Sequence, residues 1–103
     1  MTPTPAVEIE ADIRAALRHV IDPELGHNII DLGMVYYIAV EHSGAVSIVM
    51  ATTARFCPAS AFLQDAVAAA ARAIPGVGEV TVELTYDPPW SPDCMSSDLA
   101  DRF

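Results

Sequence analysis

Residues 34–51, MVYYIAVEHSGAVSIVMA, decide the fold that the sequence predicts. Residues 34–41 follow the two-residue period of a strand, because the even-numbered side chains from Met34 to Val40 would all point to one face. The next three residues, His-Ser-Gly, are typical of a turn, and residues 45–51 return as a second strand. The stretch therefore predicts an antiparallel hairpin.

A helix is predicted before the hairpin, over residues 7–20. Ile9, Ile13 and Leu17 recur at helical spacing and form one apolar stripe. The proline at position 23 prevents the helix from continuing past the residue before it. A loop is expected between this helix and the hairpin.

A second helix is predicted over residues 58–73. Pro58 suits its first position, which needs no N–H donor, and a Pro-Gly pair at 75–76 ends it. We expect its inner face to consist of small side chains and one aromatic, with larger aliphatic side chains beside them. The inner face would be Phe62, Ala66, Ala69 and Ala73, flanked by Leu63, Val67, Ala70 and Ile74.

Apolar and polar residues alternate from residue 79 to residue 86, which predicts a third strand. The predicted order is α-β-β-α-β. Helices packed on one face of a small mixed sheet make this an α+β fold, a two-layer sandwich. We expect a single domain over residues 1–103, with its core over about residues 7–96 and a loop or short helix to the end.

The composition excludes several classes of function. Fourteen acidic residues face five arginines and no lysine, so the net charge of -9 repels phosphate backbones and argues against nucleic-acid binding. No apolar run reaches the roughly 20 residues that span a bilayer. The acidic N-terminal stretch lacks the features of a secretory signal, so we expect a cytoplasmic protein. Two cysteines are too few for a disulfide scaffold.

Cys57 stands directly before Pro58, at the predicted start of the second helix. Backbone N–H groups and the helix dipole favour a thiolate there, and a thiolate attacks electrophiles or binds metal. The alternative is a buried structural cysteine. Thr53 either donates a hydrogen bond to a bound group or simply favours the end of the strand.

Three carboxylates lie in the first loop, Asp22, Glu24 and Asp31. They suit general bases or ligands of hard metal ions. The alternative is a role in turns, since Asp-Pro commonly opens one. Trp90, the single tryptophan, either covers the core or lines a pocket, and Cys94 is a second free thiol that follows it.

Four segments together resemble the small iron–sulfur maturation proteins of the SufT and PaaD-like family, also called domain of unknown function fifty-nine. Each is weak alone, but their order and spacing are specific over most of the chain. The segments are VIDPELGHNIIDLGMVY (20–36), VSIVMATTARFCP (46–58), IPGVGEVTVEL (74–84) and YDPPWSPDCMS (86–96).

This resemblance implies the same α+β fold and a set of site residues. The family often has glycine where Phe56 stands and a basic residue where Cys94 stands, so the pocket of this chain differs in detail. The family's recurrent cysteine, the reactive or metal-binding thiol, falls on Cys57. The recurrent positions beside it fall on Asp22, Glu24 and Thr53. Those around the pocket fall on Asn28, Asp31 and Trp90.

The resemblance implies an assembly or delivery factor for iron–sulfur clusters, in which Cys57 contacts metal, cluster or sulfur transiently. Its partners would be the assembly machinery and client apo-proteins. Because a cluster usually needs four thiolates, a homodimer, a partner protein, a small thiol or Cys94 would supply the other ligands. Two alternatives stay open: an enzyme that uses Cys57 as a nucleophile with Asp22, Glu24 or a histidine as base, and an adaptor without chemistry.

Overall fold

Five elements follow one another in the order that the sequence predicts. The computed structural model describes residues 6–52, 60–86, 89–91 and 94–96. The α-β-β-α-β order and the α+β class are confirmed. The elements are the helix α1 (Ala6–Leu17), the strands β1 (Val35–Val40) and β2 (Val46–Met50), the helix α2 (Ser60–Arg72) and the strand β3 (Val80–Leu84).

The sheet has the order β1-β2-β3 and is mixed, as predicted. β1 and β2 form the antiparallel hairpin, in which Val40 pairs with Val46, and the register shifts between Val35 and Tyr37. β3 runs parallel to β2, so that Val46 also pairs with Val80. β2 is therefore the central strand and carries both kinds of pairing.

The first helix ends three residues before the predicted boundary. Its last backbone bonds reach back three residues instead of four, as in the bond of 3.0 Å from the Val20 N–H to the Leu17 carbonyl. Such 3₁₀-type bonds tighten the last turn and satisfy carbonyls that would otherwise lack a partner. Val20 still lies in the core, which explains why the apolar stripe extends past the helix.

The core lies between the helices and one face of the sheet. Its members are aliphatic side chains less than a tenth exposed, and most are fully buried. They include Ile9, Ile13 and Leu17 of α1, Val46, Ile48 and Met50 of β2, Leu63, Val67 and Ala71 of α2, and Ile29, Leu32 and Met34 from the loop before β1.

The predicted inner face of α2 is wrong by about one residue. Leu63 is fully buried, whereas Phe62 is 60% exposed. Ala69 and Ala73, two other members of the predicted face, are exposed as well. Each residue turns a helix by about 100°, and burial of the larger Leu and Val side chains outweighs burial of alanines.

A C-terminal segment, called the strap here (residues 89–91 and 94–96), crosses the loop before β1. The Trp90 indole N–H donates to the Leu32 carbonyl at 2.6 Å, and the Ser96 N–H donates to the Asp31 carbonyl at 2.7 Å. Between these bonds the Cys94 backbone lies so close to Gly33 that a Cβ there would overlap the Cys94 carbonyl. Glycine at position 33 is thus required by the strap.

No helix among the described residues has the length and apolar character needed to cross a membrane.

The corrected face of α2 can be tested with two neighbouring substitutions. We expect Leu63→Ala to lower the free energy of unfolding by about 2–5 kcal/mol, because it opens a cavity in the core. Phe62→Ala should change it by about 0.5 kcal/mol or less, because the ring is mostly in solvent. Urea denaturation measures both values, and equal losses would contradict the observed face.

Gly33→Ala tests the fit of the strap, and Gly26→Ala is its matched control. Both glycines have a φ of 74°, so both variants carry about 1–2 kcal/mol of backbone strain. Only position 33 adds an overlap, since nothing lies within 4 Å of a Cβ at position 26. We expect Gly33→Ala to lose about 1–3 kcal/mol more and to shift the fluorescence of Trp90 to the red.

Equal unfolding free energies in the two glycine variants, with unchanged tryptophan emission, would show that the position of the strap does not depend on the close approach of the Cys94 backbone to Gly33. Because Trp90 is the single tryptophan of the chain, its emission reports on the strap alone.

Candidate functional site

The Asp-Pro-Glu-Leu stretch after α1 folds as a turn around the side chain of Asp22. Its Oδ1 accepts hydrogen bonds from the Glu24 N–H at 2.7 Å and the Leu25 N–H at 3.2 Å. The Asp22 carbonyl accepts from the Gly26 N–H at 2.8 Å. This is an Asx-turn, in which a short carboxylate replaces backbone acceptors. The turn role considered for Asp22 is therefore real.

The second carboxylate oxygen of Asp22 is not used by that turn. Asp22 is fully buried, and among the described residues no donor lies within hydrogen-bond distance of Oδ2. Buried polar atoms nearly always have a partner, and an unpaired one costs free energy. The turn thus holds an acceptor oxygen in a buried position where no described residue donates to it.

Asn28 and Asp31 bind each other rather than facing a common ligand. The Asn28 Oδ1 accepts from the Asp31 N–H at 2.9 Å, and its Nδ2 donates to the Asp31 Oδ2 at 3.0 Å. The other carboxylate oxygen of Asp31 accepts from the Arg18 guanidinium at 3.1 Å. Both carboxylate oxygens of Asp31 therefore accept a hydrogen bond. The bond from Arg18 joins the end of α1 to the loop.

Arg18 was not found by sequence reasoning. It stands beyond the last residue of α1, thirteen positions before its partner Asp31, and no local spacing links the two. Through the bond from the Ser96 N–H to the Asp31 carbonyl, the same carboxylate residue also anchors the strap. Asp31 thus connects three segments that are distant in sequence.

Cys94 contacts Tyr36 where the strap passes β1. The hydroxyl of Tyr36 is hydrogen-bonded to the Cys94 thiol, and the pKa of that hydroxyl is raised by burial, then by the charge and the hydrogen bond of Cys94. Cys94 is half-buried and forms no disulfide. The pairing of Tyr36 with Cys94 was also missed, because it exists only once the strap is in place.

Polar and backbone contacts join the ends of β2 and β3 at Thr52 and Thr85, and Thr52 is the last described residue before the predicted thiol in sequence. Thr52 is buried, and its Oγ1 lies 3.2 Å from the Tyr86 hydroxyl. The Thr85 N–H donates to the Met50 carbonyl at 2.8 Å, which extends the parallel pairing past the strands. Cys57 and Thr53, with Phe56, lie outside the described residues.

The described residues alone form no metal centre. Within residues 6–52, 60–86, 89–91 and 94–96, no three His, Cys, Asp or Glu side chains are grouped so that they could hold a metal ion. Glu24 presents an exposed side chain and contributes its backbone N–H to the turn of Asp22. The indole N–H of Trp90 donates to the Leu32 carbonyl, and this bond holds the strap against the loop before β1.

Comparison with known proteins gives near full-length relatives. An Fe-S protein maturation auxiliary factor from Porphyromonas gingivalis is 38% identical over 92 residues, which cover 89% of this chain and 88% of the relative. The auxiliary factor YitW of Bacillus subtilis is 36% identical over 88 residues, covering 85% and 86% of the two chains.

A solved structure has the same fold. The crystal structure of a domain of unknown function fifty-nine from Bacillus anthracis matches with a TM-score of 0.87 at 33% identity, covering 94% of this chain and 92% of that one. The family model described as iron–sulfur cluster assembly protein matches residues 10–83. The SufT and PaaD-like resemblance is confirmed, and the chain belongs to the iron–sulfur cluster assembly protein family.

Proposed function

We propose that this protein is an assembly or delivery factor for iron–sulfur clusters. The observation that carries the proposal is the near full-length likeness to proteins described as Fe-S protein maturation auxiliary factors. In this proposal the cluster, its iron or its sulfur is cargo and not a resident cofactor. The partners are the assembly machinery and client apo-proteins, and the place of action is the cytoplasm.

Cys57 is proposed as the residue that contacts the cargo. It comes three positions before Ser60, the first residue of α2, so it belongs to the stretch that leads into a helix N-terminus. N–H groups and the dipole at such an end favour a thiolate. A thiolate is the form that binds iron.

The cargo contact is proposed to be transient because one thiolate is a poor cluster site. Clusters are usually held by four thiolates, and the described residues contain no group of three ligands. A second copy of the chain, a partner or Cys94 would supply further ligands. Cys94 would first have to leave its hydrogen bond with Tyr36.

Asp22 is proposed to act beside Cys57 through its Oδ2. Its Oδ1 already holds the turn, whereas Oδ2 is a buried acceptor without a partner among the described residues. Such an oxygen can take a proton from a thiol or contact iron. We place Glu24 and Thr53 in the same site, and we assign Asn28, Asp31 and Trp90 to positioning the loop and strap around it.

The same carboxylate oxygen favours a second candidate, an enzyme in which Cys57 is the nucleophile and Asp22 its base. The two candidates differ in stoichiometry. A delivery factor transfers one equivalent of cargo for each loading, whereas an enzyme turns over many equivalents of substrate without being reloaded.

Cys57→Ser tests the thiol. We expect anaerobic reconstitution with iron and sulfide to give visible absorbance in the parent protein and to lose most of it in this variant, because serine is a poor ligand for iron. Cys94→Ser, measured in parallel, shows whether the second thiol contributes. Circular dichroism melting verifies that each variant is folded.

Unchanged absorbance in Cys57→Ser would remove this residue from the ligand set. Full maturation of client enzymes in cells that carry Cys57→Ser would instead favour an adaptor without chemistry.

Asp22→Asn tests the role of Oδ2 while keeping the turn. The amide oxygen can still accept from the N–H groups of Glu24 and Leu25, but an NH₂ group takes the place of Oδ2. We expect cluster transfer from the reconstituted protein to an apo-ferredoxin to slow by about tenfold or more, with a melting temperature close to that of the parent.

Asp65→Asn, at an exposed position of α2, removes the same charge far from the turn and is the matched control. Transfer at the parental rate in Asp22→Asn would contradict the role proposed for Oδ2 and leave Asp22 with the turn alone.

A further inference from the structure

The side of the sheet that faces away from the helices carries a regular set of side chains. Tyr37 pairs with Val49 and Val49 with Glu83, and Ala39, Ser47 and Thr81 form the next row. Strand residues of one parity share a face, and the buried residues of β2 have the opposite parity. Glu41, Ala45 and Glu79 have the same parity and lie just beyond the strand ends, where the Glu41 N–H donates to the Ala45 carbonyl at 2.9 Å and the Val46 N–H donates to the Glu79 carbonyl at 2.7 Å. These nine residues are called the outer face.

The charge of the outer face is entirely negative. Glu41, Glu79 and Glu83 are exposed, and among the described residues none of them is in an ion pair. The described ion pairs lie elsewhere, with Arg14 bound to Glu10 at 3.4 Å and Arg18 bound to Asp31 at 3.1 Å. The third described arginine ends α2. The described arginines therefore lie in the helices or, for Arg18, directly after α1, whereas the charged residues of the outer face are all acidic.

One corner of the outer face, on β1 and β2, is apolar. Tyr37 is 58% exposed and is one of four large apolar side chains that stand out from the described surface. Its cross-strand neighbour is Val49. Exposed aromatic side chains beside charged ones are frequent anchors of protein interfaces. The face thus combines an aromatic anchor with three carboxylates.

The charges decide what can cover this face. A second copy would bring three further carboxylates against the first three, and like charges repel. Nucleic acid and anionic lipid are repelled for the same reason. We infer that the outer face docks a partner protein whose contacting surface places Arg or Lys opposite Glu41, Glu79 and Glu83 and an apolar side chain on Tyr37.

The size of the face indicates a short-lived complex. Three strands about 4.8 Å apart and five residues long at about 3.3 Å each cover a few hundred Å², below the roughly 800 Å² per partner of a standard stable interface. Docking of this kind is fast and depends on salt. The inference does not depend on the proposed function, because the face lies on the other side of the sheet from the core and its test needs no cargo.

The test uses a synthetic nine-residue peptide in which lysine alternates with valine, and a counterpart with glutamate in place of lysine. Titration of the nitrogen-15-labelled protein at low salt should shift the amide signals of the outer face with the lysine peptide alone. We expect Glu41→Gln/Glu79→Gln/Glu83→Gln to raise the Kd about tenfold and Tyr37→Ser to raise it about fivefold.

Glu8→Gln/Asp12→Asn/Asp65→Asn is the matched control, since it removes three exposed carboxylates from the helices. It should change the Kd less than about twofold. An equal loss in both triple variants, or binding of the glutamate peptide, would reduce the effect to non-specific attraction and overturn the inference. Sedimentation showing a dimer that Tyr37→Ser dissociates would overturn it in favour of a second copy.

Discussion

The rest of the structure depends on the central position of β2. This strand accepts antiparallel pairing from β1 on one edge and parallel pairing from β3 on the other. Its inward side chains, Val46, Ile48 and Met50, are fully buried or nearly so and form the floor on which both helices lie. The chain leaves this strand through Thr52, which is also buried and is the last described residue before Cys57.

A second constraint comes from side-chain hydrogen bonds in the loop after α1. The side chain of Asp22 closes one turn, and the Asn28–Asp31 pair closes the next. With Arg18 and Ser96 bound to Asp31, these turns are tied to α1 and to the strap. Hydrogen bonds to charged groups are worth more than neutral ones. These bonds hold a loop without regular structure against α1 and the strap.

Much of the fold was predictable from sequence, for reasons that particular residues make clear. The alternation of apolar and polar residues within 34–51 is a local pattern, and it predicts the hairpin without information about residues distant in sequence. The face of α2 was predicted wrongly because Phe62 and Leu63 are adjacent and both apolar, and only the packed sheet decides which is buried. The end of α1 was missed because apolar spacing does not distinguish an α-helical turn from a 3₁₀ turn.

The sequence proposes members for the candidate site but carries no information about their contacts. The family resemblance indicated Asp22, Asn28 and Asp31, yet nothing in their spacing showed that Asp31 is satisfied by Arg18 and Asn28 while one oxygen of Asp22 has no partner among the described residues. Contacts of the strap, such as the one between Tyr36 and Cys94, join positions nearly sixty residues apart. Local pattern carries no information about such pairs.

The parallel pairing of β2 with β3 has a consequence for the order of folding. The hairpin closes across a few residues, whereas Val46 meets Val80 only after the whole of α2 has intervened. Pairing between strands that are distant in sequence loses loop entropy before its contacts form, so it occurs late in folding. On the ribosome, the hairpin can therefore form while β3 is still being synthesised. The three-stranded sheet is completed only when this last strand docks beside β2.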